Sequence, residues 1–392
     1  MLKDMQAFIE SRKSELRTFS DDIWNHPEIA YHEKYAASRA CGFLREHGFE
    51  PLSPCYGIET AFRCEFGGTQ PGPVFAFASE YDALPEIGHG CGHNLICTAG
   101  IAAFMALAER MKAENLPGRV VLLGTPAEEG GGGKVRMLEA GCLKGIDAVV
   151  MTHPSKRNVA DAGSTANCGM EVTFHGKSAH AAAAPEKGIN ALDAVQLLFT
   201  AVSYFRQQLP EHARIHGIIK DGGVVPNVIP DMTRCLFYLR SGDESWSPVL
   251  DKRFRDMVKG AELMTGCTSE IKPFRPFYRA RKPNRTMNEE YVRCMKELGL
   301  KVAVPEHQGR GSSDFGNFSQ VIPGLHPYFA VSDTSEPAGH SKEFCVCAGQ
   351  DAGFNNAMAA AASLAQIGYR FLTEPEFRDS VKKDFDNNTK GF

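Results

Sequence analysis

Three short apolar runs, VFAFAS from Val74, VVLLGT from Val120 and AVVMT from Ala148, are separated by stretches whose apolar residues recur at helical spacing. A run that is apolar at nearly every position leaves no face for solvent, so it suits a strand covered on both sides; strands alternating with helices build a parallel sheet. From Cys168 to about Phe274 the rhythm changes to strand (GMEVTFHG), helix (NALDAVQLLFTAVSYFRQQL), strand (RIHGIIKDGG), strand (MTRCLFYLR), helix (SPVLDKRFRDMVKGAELMTG) and strand (TSEIKPF). That split β-α-β order suits a small α+β, ferredoxin-like domain. After RARKPNRT the pattern returns to helix, strand and helix, ending in the small-residue run AGFNNAMAAAASLAQIGYRFL. The expected fold is α/β: a catalytic domain with a mostly parallel sheet flanked by helices, residues 1–167 and 279–392, interrupted by an inserted domain, residues 168–278.

A length of 392 residues fits two domains with sizeable cores. Lys and Arg total 43 against 47 Asp and Glu, a net charge of -4, and there is no basic tract, so nucleic acid is not expected as a partner. The start, MLKDMQAFIESRKSEL, reads as an amphipathic helix without the apolar core of a signal peptide, which points to the cytoplasm. The longest apolar run, Leu95 to Ala108, falls short of the roughly 20 residues that span a bilayer and reads as a buried helix; no membrane partner is expected. Twelve cysteines scattered along such a chain suggest reduced thiols or metal ligands before disulfides. Around Cys345 and Cys347, Phe344 and Val346 alternate as in a strand, and the charged tail from Arg378 reads as solvated.

In parallel sheets, ligands bind beyond the carboxyl ends of the strands. Here the first run is followed by Glu80, Tyr81 and Asp82, the second by Glu128 and Glu129, the third by His153, and the later run HPYFAVS leads to His340. Before the long apolar helix, HGCGHN places Cys91 and His93 on either side of a glycine. Cys91, His93, Glu129, His153 and His340 together offer one thiolate, three imidazoles and one carboxylate, a donor set that suits zinc and tolerates manganese or cobalt. Adjacent Glu128 and Glu129 repel unless a cation or proton intervenes; one can ligate while the other takes a proton from water. The glycine run Gly130 to Gly133 before Lys134 lacks the first glycine and the Ser or Thr of a phosphate loop, which argues against nucleotide binding.

In order, SEYDALPEIGHGCGHN, GTPAEEGGGG, THP, GKSAHAAAAP, HGIIKDGGVVPNVIP and AGHSKEF resemble the motifs of the dinuclear metal amidohydrolases of metallopeptidase family 20, which contains aminoacylases, hippurate hydrolases and carboxypeptidases. The resemblance runs from about Trp24 to Phe371, and EYDALP with GHGCGHN resembles the branch of β-alanyl-lysine dipeptidase and the p-aminobenzoyl-glutamate hydrolases. It implies two divalent ions bridged by Cys91, with His93, Glu129, His153 and His340 as the other ligands and Glu128 as general base. Many relatives carry a ligating His where this chain has Glu80, so Glu80 is not expected to ligate; Asp82 is expected to orient an imidazole. The inserted domain resembles the family's lid and dimerisation domain, with His180, Asn227 and Arg240 at substrate-gripping positions, and a homodimer follows. In GRGSSDFG, Ser312, Ser313 and Asp314 fall near the substrate by the same resemblance.

The reaction so implied is attack of a metal-bridging hydroxide, formed as Glu128 accepts a proton, on the amide carbonyl of a small dipeptide or N-acyl amino acid, with His180 aiding the oxyanion. A deacylase of N-acyl amino acids is the nearest rival; a non-catalytic scaffold and a cysteine hydrolase built on Cys91 and His93 account for fewer residues.

Overall fold

A computed structural model describes residues 1–67, 70–304 and 311–387. The described residues divide into two compact units, one of residues 1–163, 281–304 and 313–387, the other of residues 164–280 and 311–312.

In the first unit, β1 (Phe62–Gly67), β2 (Val74–Ser79), β3 (Arg119–Gly124), β4 (Ala148–Val150) and β10 (Gly324–Leu325) form one sheet in the order β1-β3-β2-β4-β10. All its pairings are parallel except that of β1 with β3. This is the mostly parallel sheet that the apolar runs imply, and every residue of β2 is buried, as a strand covered on both faces must be. Alternate side chains go to opposite faces. Phe75, Phe77, Val120, Leu122, Ala148 and Val150 join one core with the helices α1 (Leu2–Ser11), α2 (Lys13–Asn25), α3 (Lys34–Glu46), α4 (His93–Glu114), α8 (Arg285–Glu297) and α11 (Asp351–Thr373). Val74, Ala76, Ala78, Val121, Leu123 and Val149 join another with residues of α5 (Gly133–Glu139) and α9 (Phe315–Ser319). The run from Leu95 to Ala108 lies inside α4, which is apolar on all sides and buried along nearly its whole length. A short second ladder pairs β5 (His153–Ser155) in parallel with β11 (Tyr328–Ala330).

The second unit contains β6 (Ala166–His175), α6 (Ala191–Phe205), β7 (Ala213–Asp221), β8 (Met232–Ser241), α7 (Ser247–Thr265) and β9 (Thr268–Pro273). Its four strands form an antiparallel sheet in the order β7-β8-β6-β9, and α6 and α7 share a core with the sheet, built around Val172, Phe174, Leu198, Phe237 and Phe254.

Two local expectations fail. Cys345 and Cys347 lie on a helix, α10 (Lys342–Ala348), and not on a strand. Ser341 caps it by accepting the Phe344 N–H, and over so few residues an alternation of period two does not exclude a helical turn. The tail is likewise not simply solvated: α12 (Pro375–Asn387) turns Phe377 and Val381 into the core while its charges face outward.

The fit of α4 on β2 depends on Gly100, because a Cβ built there would lie 1.9 Å from Ser79 Oγ. Gly100→Ala is therefore expected to overpack this seam and cost about 1–3 kcal/mol. Urea unfolding of the two proteins measures the difference, and an unchanged midpoint would contradict the packing described.

Candidate metal centre

The end of β2 carries three side chains that never reach solvent: Glu80, Tyr81 and Asp82. Asp82 Oδ1 lies 3.0 Å from His93 Nδ1, while Asp82 Oδ2 accepts the Glu129 N–H at 2.9 Å. With Nδ1 engaged by a carboxylate, His93 presents Nε2 inward. Among the described residues that nitrogen has no hydrogen-bond partner, nor does Glu80 Oε2, 3.6 Å away, although both are buried. His153 Nδ1 is 2.6 Å from the Pro154 carbonyl, which can only accept, so its proton sits on Nδ1 and the Nε2 lone pair is left for a ligand.

Ligand atoms of Glu80, His93 and His153 lie within 4.8 Å of one another, as do those of Cys91, Glu129 and His340, and those of His93, Glu128 and Glu129. The five residues read from the sequence as ligands thus fall into two adjoining clusters, and Glu129 is shared between the Cys91 cluster and the His93 cluster. Two buried polar atoms without partners, facing each other among imidazoles and carboxylates, are the donors that a cation seat requires and that a purely structural core would have paired. The residues present fit a pair of divalent ions. Glu80, set aside in the sequence because relatives carry His there, stands with its free oxygen in the first cluster.

The turn after β3 is held from outside. Ala127 adopts φ 60°, a left-handed conformation that costs a residue with a Cβ roughly 1–2 kcal/mol. Its N–H donates to Glu33 Oε1 at 2.8 Å, Glu33 Oε2 accepts from Thr60 Oγ1 at 3.0 Å, and the Tyr31 hydroxyl reaches the Gly131 carbonyl at 2.7 Å. These contacts over-determine the strained residue. The glycine run serves the same turn: a Cβ on Gly133 would lie 1.7 Å from the Pro126 carbonyl oxygen. Only glycine lets the chain fold back under the two glutamates.

Burial, then the neighbouring Glu129, drives the Glu128 pKa well above the usual carboxylate range. Burial opposes ionisation of Glu129 too, but the hydrogen bond with His340 and the charge of His93 overcome it and hold its pKa below the ordinary value. Cys91 Sγ donates to Glu129 Oε1 at 2.6 Å, and burial raises its pKa. Burial lowers His153 to about 4, leaving it neutral, whereas at His93 the Asp82 carboxylate overcomes burial and raises the pKa well above its ordinary value, so a metal ion on Nε2 would have to displace a proton. A divalent ion would displace the Cys91 proton, so metal uptake releases protons. His340 differs from the other candidate ligands: its side chain is 62% exposed, and its backbone, at φ 62°, is tied to the HGCG turn through the Gly90 carbonyl.

In the second unit, the Asn227 carbonyl accepts the Ala181 N–H, and Val228 forms a bridge with His180, so the exposed His180 and Asn227 lie together beyond the Met232 end of β8. Arg240 is not with them. It lies near the other end of the same strand, roughly 26 Å along it by strand rise. There Arg240 Nη1 donates to Ser312 Oγ at 3.1 Å, and the guanidinium covers the Tyr238 ring.

In the first unit, Ser313 Oγ accepts the Phe315 N–H at 3.2 Å. Asp314, read as a substrate contact, is instead fully buried and bound to Lys134 Nζ at 2.7 Å, because a buried ammonium demands a carboxylate. Gly309 and Arg310 of the same motif lie outside the described residues. Lys134 does not stand out in the sequence as a site residue. Its signal there is a lone lysine, followed by Val135, on the first turn of a helix directly after the two glutamates.

A sequence profile described as Peptidase family M20/M25/M40 matches residues 76–366. The "Xaa-Arg dipeptidase" of Mus musculus is 38% identical over 393 residues, covering 96% of this chain and 90% of that protein. A p-aminobenzoyl-glutamate hydrolase chain of Escherichia coli is 32% identical, over 74% of this chain and 64% of its own length. Among solved structures, a putative aminohydrolase from methicillin-resistant Staphylococcus aureus superposes with a TM-score of 0.81 at 21% identity, covering 95% of this chain and 100% of that one. A dinuclear metal binding peptidase from the M20 family, from Bacillus subtilis, superposes with a TM-score of 0.67 at 22% identity, covering 90% and 98%.

Glu33 offers a pH test of the turn. Burial, reinforced by the Asp82 charge, raises its pKa from 4.5 to about 7. Between those values the folded chain holds a proton that the unfolded chain has lost, so this group's contribution to stability falls as pH rises through that window. Glu33→Gln does not titrate and is expected to lose less stability than the wild type between about pH 5 and about pH 8, by on the order of 2–3 kcal/mol. Thermal melts of both proteins at the two pH values read this; parallel pH profiles would contradict it.

Proposed function

The chain belongs to peptidase family M20/M25/M40, and from that membership we propose that it hydrolyses the amide bond of small dipeptides with two divalent ions, zinc before manganese or cobalt. It is a metal-dependent amidohydrolase of the dipeptidase kind; the finer reading concerns substrate, metal and assembly. The observation that carries it is the pair Glu128 and Glu129, on one strained turn, with Glu129 among the ligands and Glu128 beside them.

When bound, the ions would polarise the scissile carbonyl and acidify water. Glu129, with Cys91 and His340, would hold one of them, and Glu80, His93 and His153 the other. Glu128 takes the proton of the attacking water and hands it to the leaving amine. Its buried position, which favours the protonated carboxyl, suits the second half of that task. Asp82 keeps the His93 ring and the Glu129 backbone in register throughout.

The near full-length likeness to a dipeptidase named for Xaa-Arg substrates supports a dipeptide with a free carboxylate, for which the Arg240 guanidinium is a planar, bidentate partner. Within the second unit Arg240 lies apart from the end where His180 and Asn227 sit, which supports a homodimer in which those two residues serve the neighbouring chain. The edge strand β7 adds to this: Ile218 and Ile219 on it, and Val224 in the loop that follows, are exposed apolar side chains on an unpaired edge.

Glu128→Gln is expected to reduce turnover about 10²- to 10⁴-fold while metal content stays at two per chain; an unimpaired variant would sink the assignment. The zinc, manganese and cobalt forms, offered Xaa-Arg and Xaa-Lys dipeptides, p-aminobenzoyl-glutamate and N-acetyl amino acids, should release product fastest from the dipeptides. Preference for N-acetyl amino acids would replace dipeptidase by deacylase. Mixing inactive Glu128→Gln with inactive His180→Ala chains should restore activity through mixed dimers, and no recovery would place His180 in its own chain's site.

A further inference from the structure

Hydrolysis as proposed gives the buried Lys134 no task. Lys134 is wholly inaccessible, and an ammonium taken out of water is costly unless carboxylates surround it. Its Nζ donates to Glu80 Oε1 and to Asp314 Oδ1, and its backbone N–H donates to Asp314 Oδ2 at 2.9 Å. Asp314 therefore grips Lys134 at both the main chain and the side chain, which fixes where the ammonium sits. The ammonium in turn takes one oxygen of Glu80. The other, Oε2, accepts no hydrogen bond from any described residue and lies 3.6 Å from His93 Nε2, which is likewise unpartnered among the described residues.

A glutamate at a strand end has several rotamers and two equivalent oxygens. Engaging one of them with a rigidly anchored cation turns the side chain so that the second faces His93 and His153. The lysine also balances one of the negative charges where Glu80, Glu128 and Asp314 bring oxygens within 4.8 Å of one another.

We propose that Lys134, anchored by Asp314, is a positioning residue that presents Glu80 as the third protein ligand of the ion held by His93 and His153. This rests on the two-ion reading of the site. Lys134 touches neither substrate nor ion; it acts through Glu80, as outer partners of ligands do elsewhere.

The test is zinc titration of the metal-free full-length chain, followed by calorimetry and by competition with a chromophoric chelator. Wild type should take up two ions. Glu80→Gln should weaken one of them about 10- to 100-fold, and Lys134→Met should weaken the same one by a similar factor, leaving the Cys91, Glu129 and His340 ion unchanged. The double variant should bind no more weakly than Glu80→Gln alone, because the lysine acts through that glutamate. Multiplied losses in the double variant, or two tight ions in Lys134→Met, would overturn the relay. Should Lys134→Met fail to fold, Asp314→Asn, which keeps the ammonium and its bond to Glu80 but loosens its anchor, carries the test: weakening of the same ion supports the relay and unchanged affinity overturns it. If wild type takes up no zinc, or Glu80→Gln leaves both ions as tight, it is the site reading that fails, and the lysine variants are not needed to see it.

Discussion

Asp82 joins three segments that meet nowhere else in sequence. Its two oxygens, sealed from water, hold the His93 ring at the start of α4 and the Glu129 N–H in the turn after β3, while its own backbone continues from β2. A carboxylate kept ionised in a buried place needs such partners, and His93 supplies the charge that holds its pKa down against burial. Strand end, helix start and glutamate turn are therefore one cooperative element. Glu33 under Ala127 and Asp314 beside Lys134 extend the same logic outward, each fixing a backbone or a side chain by a buried carboxyl group with both oxygens engaged. A site that must hold two doubly charged ions starts with an excess of negative charge, and the scaffold uses backbone amides and one lysine to keep that charge in place.

Much of this is legible in the sequence. The apolar runs mark β2, β3 and β4 because strands buried on both faces cannot alternate, and the residues after them mark the site because a parallel sheet points its strand ends one way. Cys91, His93, Glu129, His153 and His340 are named as candidates by type and position, and the structure brings them into two adjoining clusters. Glu80 is set aside in the sequence because many relatives carry His at that position, while the fold places its carboxylate within 4.8 Å of the His93 and His153 ligand atoms. Lys134 and Asp314 are invisible as a pair, since 180 positions separate them and neither stands out until the fold makes them neighbours.

The small errors have equally local causes. A seven-residue helix such as α10 shows too few turns for period to decide, and its best marker is the Ser341 cap. That Asn227, before β8, and Arg240, near the far end of that strand, lie apart cannot be read from motifs, which record residue types and not where the fold puts them.

The interruption of the first unit has a consequence for the order in which the molecule is made. The sheet is closed by β10, whose Gly324 and Leu325 pair with Val149 and Val150 across the whole of the second unit, and Lys134 waits for Asp314. A chain synthesised from its amino end thus completes the second unit, with its own core and near-neighbour strands, while β4 still has an open edge. His340 comes later still. Of the candidate ligands, Cys91, His93 and Glu129 are synthesised more than half a chain length before His340, so the cluster that joins Cys91, Glu129 and His340 can form only after the segment beyond β10 has been made.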